Sequence, residues 1–249
     1  MFELIETQPP VDVPDAEYQR LLGYPKNRPL ADRARELADM AKQWFLENGK
    51  PWIVAREISG LELADENKLR IGETEFSSRR LREIFSEASA HSVVLLAVSA
   101  GKECEEHAQQ LWRDEKPDEY FFLESFGSAV VEQLVTVASG RICGWADENK
   151  MAVLPHFSPG YSGWDIAQQI PLWQLLQNNF KNNFPGELEV LDSGMLRPKK
   201  SLLAVFGLTR EWEKARRFAK LIPCENCGLP KCQYRRAAYK RAASVLISK

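Results

Sequence analysis

The sequence predicts an α+β chain, and three observations predict it. Apolar residues at Ala34, Leu37, Ala41, Trp44 and Phe45 follow helical spacing from Leu30 and stop at Asn48-Gly49. Ser92-Val-Val-Leu-Leu-Ala-Val-Ser99 is an unbroken apolar run of strand length, closed by Ala100-Gly101. Between and after them lie short β-prone segments joined by polar turns. At 249 residues, with 44% hydrophobic and 27% charged, the chain can bury a sizeable core in one large domain or two small ones. We divide it into an N-terminal arm, residues 1–29, and a single domain, residues 30–249, whose last segment, 221–249, carries three cysteines. The net charge of -2 gives no global field for nucleic acid, and the basic residues that cluster do so at the C-terminal end. The N-terminus has no basic start followed by a long apolar stretch, and no run reaches 18 apolar residues, so the expectation is a cytoplasmic protein with neither a nucleic-acid nor a membrane partner.

The elements follow in order. Prolines at 9, 10, 14, 25 and 29 restrict the arm to one short helix near Asp15–Leu22. After the helix from Leu30, short strands are expected at Trp52–Glu57, Leu61–Leu63 and Leu69–Ile71, then a helix over 77–89. The run Ser92–Ser99 suits a central strand buried on both faces. An acidic helix follows; Glu103, Glu105, Glu106 and His107 form a solvated face rather than a metal site. Phe121–Ser139 is apolar nearly all round and should be a buried helix, which makes Glu132 stand out: a carboxylate there must be paired, edge-exposed or turned to a ligand. Met151–Leu154 is a short strand. Asp165–Asn178 is helical with Ile166, Ile170, Trp173 and Leu176 on one face, and Pro171 restarts or kinks it. Strands at Leu188–Leu191 and Ser201–Phe206, a basic helix over Glu211–Lys220 and an amphipathic helix over Tyr234–Leu246 complete the chain.

Two clusters carry chemistry. In His156-Phe-Ser-Pro-Gly-Tyr-Ser-Gly-Trp164, proline fixes φ at the second turn position and Gly160 supplies φ > 0 at the third. A rigid turn of this kind lets His156, Ser158 and Tyr161 present an imidazole, backbone groups and a phenol to one small ligand. The second cluster is Cys224-Glu-Asn-Cys227-Gly-Leu-Pro-Lys-Cys232. A C-x2-C spacing turns two thiolates toward one metal, Cys232 is within loop reach, and Lys231, Arg235 and Arg236 favour thiolates. Three thiolates are one short of a closed zinc site or a four-cysteine iron-sulfur cluster, so Cys104, Cys143, a histidine or an exogenous ligand would complete the set. The rival reading is a group of reduced structural thiols with no metal.

With both clusters in view, residues 151–246 resemble the activation-domain family of cobalamin-dependent methionine synthase, more closely its free-standing members. The resemblance is carried by Ser-Pro-Gly-Tyr161 and the helix behind it with Gln169, Leu172, Trp173 and Leu176; by Asp192-Ser-Gly-Met-Leu-Arg-Pro-Lys-Lys-Ser201 and the strand after it; and by Cys224, Cys227 and Cys232-x-Tyr-Arg235. Leu123–Glu132 is similar to the family's central helix. The resemblance implies a twisted antiparallel sheet flanked by helices that holds S-adenosylmethionine over a partner's cobalamin. There an inactive cob(II)alamin is reduced by one electron and methylated. The implied partners are a cobalamin-binding methionine synthase module or corrinoid protein, together with a reductant protein; this chain shows no Asp-x-His-x-x-Gly cobalamin signature. Proximity does the catalytic work, so no catalytic nucleophile is expected. By the same resemblance the cofactor-binding residues are Glu132, His156, Ser158, Gly160, Tyr161 and Phe206. His156 stands where full-length members place a carboxylate-binding arginine, and Phe206 where they place a tyrosine. Two other readings stand beside this one: a cysteine-ligated metal or iron-sulfur protein that serves corrinoid proteins without S-adenosylmethionine, and a non-catalytic docking scaffold.

Overall fold

A computed structural model describes residues 1–24, 28–180 and 182–218. In chain order it begins with β1 (Glu3–Glu6), α1 (Asp15–Leu21), α2 (Asp32–Asn48), β2 (Trp52–Ile58), β3 (Leu61–Glu62), β4 (Lys68–Ile71), β5 (Thr74–Ser77) and α3 (Arg79–Glu87). The middle comprises β6 (Ser92–Ser99), α4 (Lys102–Arg113), α5 (Pro117–Glu148) and β7 (Ala152–Val153). A 3-10 turn at Ile166–Gln168 leads into α6 (Gln169–Asn179), followed by β8 (Glu189–Val190), β9 (Leu196–Arg197), β10 (Ser201–Thr209) and α7 (Trp212–Arg216).

Five strands form an antiparallel sheet in the order β1-β2-β6-β10-β7, with β6 at its centre as its apolar run predicts. All eight β6 residues are buried. Side chains alternate across a strand, so a run apolar at every position requires a hydrophobic layer on each face. Both layers exist. Val94, Leu96 and Val98 join Ala204, Phe206 and Leu208 under α1, α2, α4 and α5. Val93, Leu95 and Ala97 join Leu203 and Val205 under α3, α6, α7 and the small sheet β3-β4-β5. The result is an antiparallel sheet flanked by helices, with a further pair β8-β9.

Two elements differ from expectation. The N-terminal segment supplies a helix and also an edge strand, β1, too short and too weakly patterned to announce itself, which pairs with β2 from Glu3↔Arg56 to Glu6↔Ile53. Helix α5 outruns the expected Phe121–Ser139 at both ends and reaches 32 residues. Pro117 suits its first turn, where no N–H is needed. Gly140 and Gly144 are carried through because Leu134, Val135, Ala138, Ile142 and Ala146 keep packing on the sheet. By length and composition α5 could cross a membrane, which counting unbroken apolar runs misses; here 61% of its most apolar window is buried within the fold.

Buried polar groups on this face are paired or neutral. The Tyr18 hydroxyl donates to the Phe122 carbonyl at 2.8 Å, and burial, with Asp39 adding, raises its pKa. Burial first, and Glu124 next, push the Cys104 thiol up to about 12, so it is an inert packing group. His107 of the acidic helix stacks on Trp44 at 4.2 Å and ties α4 to α2, while burial lowers its pKa.

Candidate functional site

The turn forms as the sequence dictates. Tyr161 N–H donates to Ser158 O at 3.0 Å and Gly160 has φ +94°, as a type II turn with Pro at the second position and Gly at the third requires. Gly160 N–H reaches Trp164 O at 2.9 Å, which closes a second, overlapping ring of the loop. The Ser158 hydroxyl, only 3% exposed, donates to Leu203 O at 2.6 Å and so pins the turn to β10. Its side chain therefore positions the loop, while His156 and Tyr161 on either side are part-buried.

The way His156 arrives depends on an irregularity invisible in the sequence. Val153 pairs with Leu208, and Phe157 bridges Val205, with 2.8 Å hydrogen bonds in both directions. Between these pairs one chain holds three residues, Leu154, Pro155 and His156, and the other only Phe206 and Gly207. That is a β-bulge, and Pro155, which lacks an N–H, lies within it. Strict alternation from Val153 would put Phe157 on the α5 side of the sheet. Instead Phe157 packs with the α3–α6 core, and His156 comes to the α5 side, its ring 5.8 Å from that of Phe206.

Three of the expected residues are thus brought together. His156 Nε2 and Tyr161 OH are hydrogen-bonded at 3.1 Å, and the His156 ring lies between the Tyr161 and Phe206 rings at 5.9 and 5.8 Å. Phe206 itself is 2% exposed and forms an apolar wall. Glu132 lies half-buried on α5, which covers the same face; its neighbours Val131 and Val135 share a cluster with Phe206. The site therefore combines an imidazole, a phenol and an apolar ring at the sheet edge, and Glu132 lies on the helix that covers the same face.

The other flank of the loop is held by α3. Ser78 caps that helix by accepting Leu81 N–H at 3.1 Å and donates its proton to Gly163 O at 2.8 Å. Gly163 has φ +90°, and a Cβ there would come to 3.0 Å from Arg80 Cβ. Arg80 lays its guanidinium over the Phe157 ring, 5.9 Å from the centroid. Sequence reading missed Arg80, although Ser78-Arg-Arg carried a signal: two cations in a first turn whose dipole disfavours them.

Elsewhere the picture is plainer. Cys224, Cys227 and Cys232 lie outside the described residues, as does the segment Tyr234–Leu246. Among the described residues no group of three His, Cys, Asp or Glu could hold a metal ion. The α4 carboxylates line an open groove of about 460 Å³ against β8-β9, where Lys102 pairs with Glu187 and Lys199 N–H donates to Glu105.

No family model matches the sequence, and no curated protein matches it. Among solved structures the chain is similar to a crystal structure of the MetH reactivation domain bound to AdoHcy, with a TM-score of 0.54 and 13% identity. The match covers 71% of this chain and 64% of that one, so the chain spans less than two thirds of its solved neighbour. At this identity the likeness concerns the fold: the antiparallel sheet with helices on both faces is the architecture of a reactivation domain.

Proposed function

We propose that this chain is a free-standing S-adenosylmethionine-binding protein of the activation-domain type. It supports reductive methylation of cobalamin held by a separate methionine synthase module or corrinoid protein. The observation that carries the reading is the hydrogen-bonded pair His156 and Tyr161, set beside Phe206 by a bulge at the edge of a sheet with the reactivation-domain architecture. The residue types suit the ligand: imidazole and phenol for the polar amino-acid end, the Glu132 carboxylate for its ammonium, and apolar rings to exclude water.

The partner's cobalamin would supply a reduced metal centre that accepts the methyl group, leaving S-adenosylhomocysteine on this chain. The chain's own part is to hold the donor at the sheet edge with its methyl group outward, which is catalysis by positioning. Calorimetry tests this directly. S-adenosylmethionine should bind, and Tyr161→Phe should weaken it about three- to tenfold, the worth of one hydrogen bond. Absence of heat at millimolar S-adenosylmethionine and S-adenosylhomocysteine rejects the reading.

A second reading concerns the C-terminal cysteines, whose C-x2-C spacing favours a bound zinc or iron-sulfur cluster. Metal analysis of anaerobically purified protein tests it: wild type should carry metal that Cys227→Ser loses, and metal-free wild type removes it.

A further inference from the structure

We propose that the outer face of α4 and the groove beside it receive the basic C-terminal segment of this same chain, residues 231–241. The inference stands apart from the S-adenosylmethionine reading and uses none of its residues.

The surface has an acidic half and an aromatic half. Between α4 and the β8-β9 pair lies the groove of about 460 Å³, with Leu188 and Pro198 in its lining and glutamates on both walls. On the β8-β9 wall, Glu187 and Glu189 are neutralised by Lys102 and Arg197. On the α4 wall, Glu105 and Glu106 make no ion pair among the described residues, so the groove keeps an excess of negative charge. Glu105, Gln109 and Trp112 follow at i, i+4 and i+7, which puts them on one face of α4 within about 10 Å of helix. Trp112 is 61% exposed, and its ring meets that of Tyr120 at 5.2 Å. An indole held on one side and open on the other, in line with unneutralised carboxylates, suits a ligand that is both cationic and apolar.

This chain carries such a segment. Residues 219–249 hold seven Lys or Arg and one Glu, a net charge of +6; with -2 for the whole chain, residues 1–218 carry -8. Residues 102–124, which include α4, hold eight Asp or Glu against three Lys or Arg, a net of -5. Within 231–241, Lys231, Arg235, Arg236, Lys240 and Arg241 are interleaved with Tyr234 and Tyr239. Phe218 is buried in the α3–α6 core, and the 31 residues after it can span roughly 100 Å when extended, more than the width of a fold this size. Reach therefore leaves every face open, and charge selects α4. Tethering holds the segment at about millimolar effective concentration, so surface ion pairs that are individually weak are enough to seat it.

Carbodiimide treatment of the full-length protein at low salt tests this, because it joins a lysine amine to a carboxylate in contact with it, with loss of water. Mass spectrometry should find Lys231 or Lys240 joined to Glu105 or Glu106 in the monomer. A mixture of isotope-labelled and unlabelled protein should give no mixed pairs. The yield should fall about fivefold near 1 M salt, where the Debye length is about 3 Å. It should fall similarly in Trp112→Ala, and in Arg235→Glu combined with Arg236→Glu, none of which removes a cross-linking group. The proposal is overturned if these pairs are absent, if they form only between copies, or if Lys231 and Lys240 join mainly to carboxylates elsewhere. Yields unchanged in both variants overturn it equally.

Discussion

Along its β6 side, β10 pairs residue for residue from Ser201↔Ser99 to Leu208↔Ser92; along its β7 side it has two partner pairs, a three-against-two bulge and one bridge to Phe157. The same strand is therefore regular on one flank and irregular on the other. The regular flank satisfies every ladder group and buries side chains on both faces, which is how a sheet accumulates stability. The irregular flank gives up ladder pairs and gains a re-aimed His156 and a turn that faces outward. Stability and the proposed recognition site are carried on opposite flanks of one strand.

Substitutions can break or sharpen that division. Leu96, 1% exposed on β6, should show the largest effect: Leu96→Ala removes core volume opposite Ala204 and should cost about 2–5 kcal/mol in urea unfolding. On the irregular flank, Ser158→Ala removes the 2.6 Å bond to Leu203 O and should cost only about 1 kcal/mol in the same measurement, while loosening the loop enough to raise amide exchange at Tyr161. If Ser158→Ala proves as costly as Leu96→Ala, the division is wrong. The smallest effect belongs to neither flank. A Cβ on Gly140 meets nothing within 4 Å, so Gly140→Ala should stabilise α5 by about 0.5–1 kcal/mol, read as a raised melting temperature with ligand binding unchanged.

What the sequence revealed follows the same division. The β6 run, the α2 spacing and the Ser158–Tyr161 turn were legible because each depends on local physics: side-chain period, helix period, and the φ preferences of proline and glycine. The ends of α5 were not, because packing against the sheet carries the helix through Gly140 and Gly144, whose helix propensity is low. Nor was β1, four residues whose alternation is too brief to stand out from coil. The bulge left no mark at all: one extra residue between Val153 and Phe157 is a relation between two strands, and a single strand cannot display it. Arg80 lay between the two cases. Its position against the helix dipole was written in Ser78-Arg-Arg, but its contact with Phe157 joins residues far apart in the chain.

The anchors of the turn have a consequence for how the site comes into being. Every residue that bends residues 156–164 lies within that stretch, so the bend can form by itself. Every bond that places it comes from far away: Ser158 is held by a carbonyl 45 residues later, and Gly163 by a hydroxyl 85 residues earlier. A peptide of these nine residues would contain the whole turn and none of the clasp. The shape is local property and the address is global, so the proposed recognition surface exists only once the rest of the chain has been assembled around it.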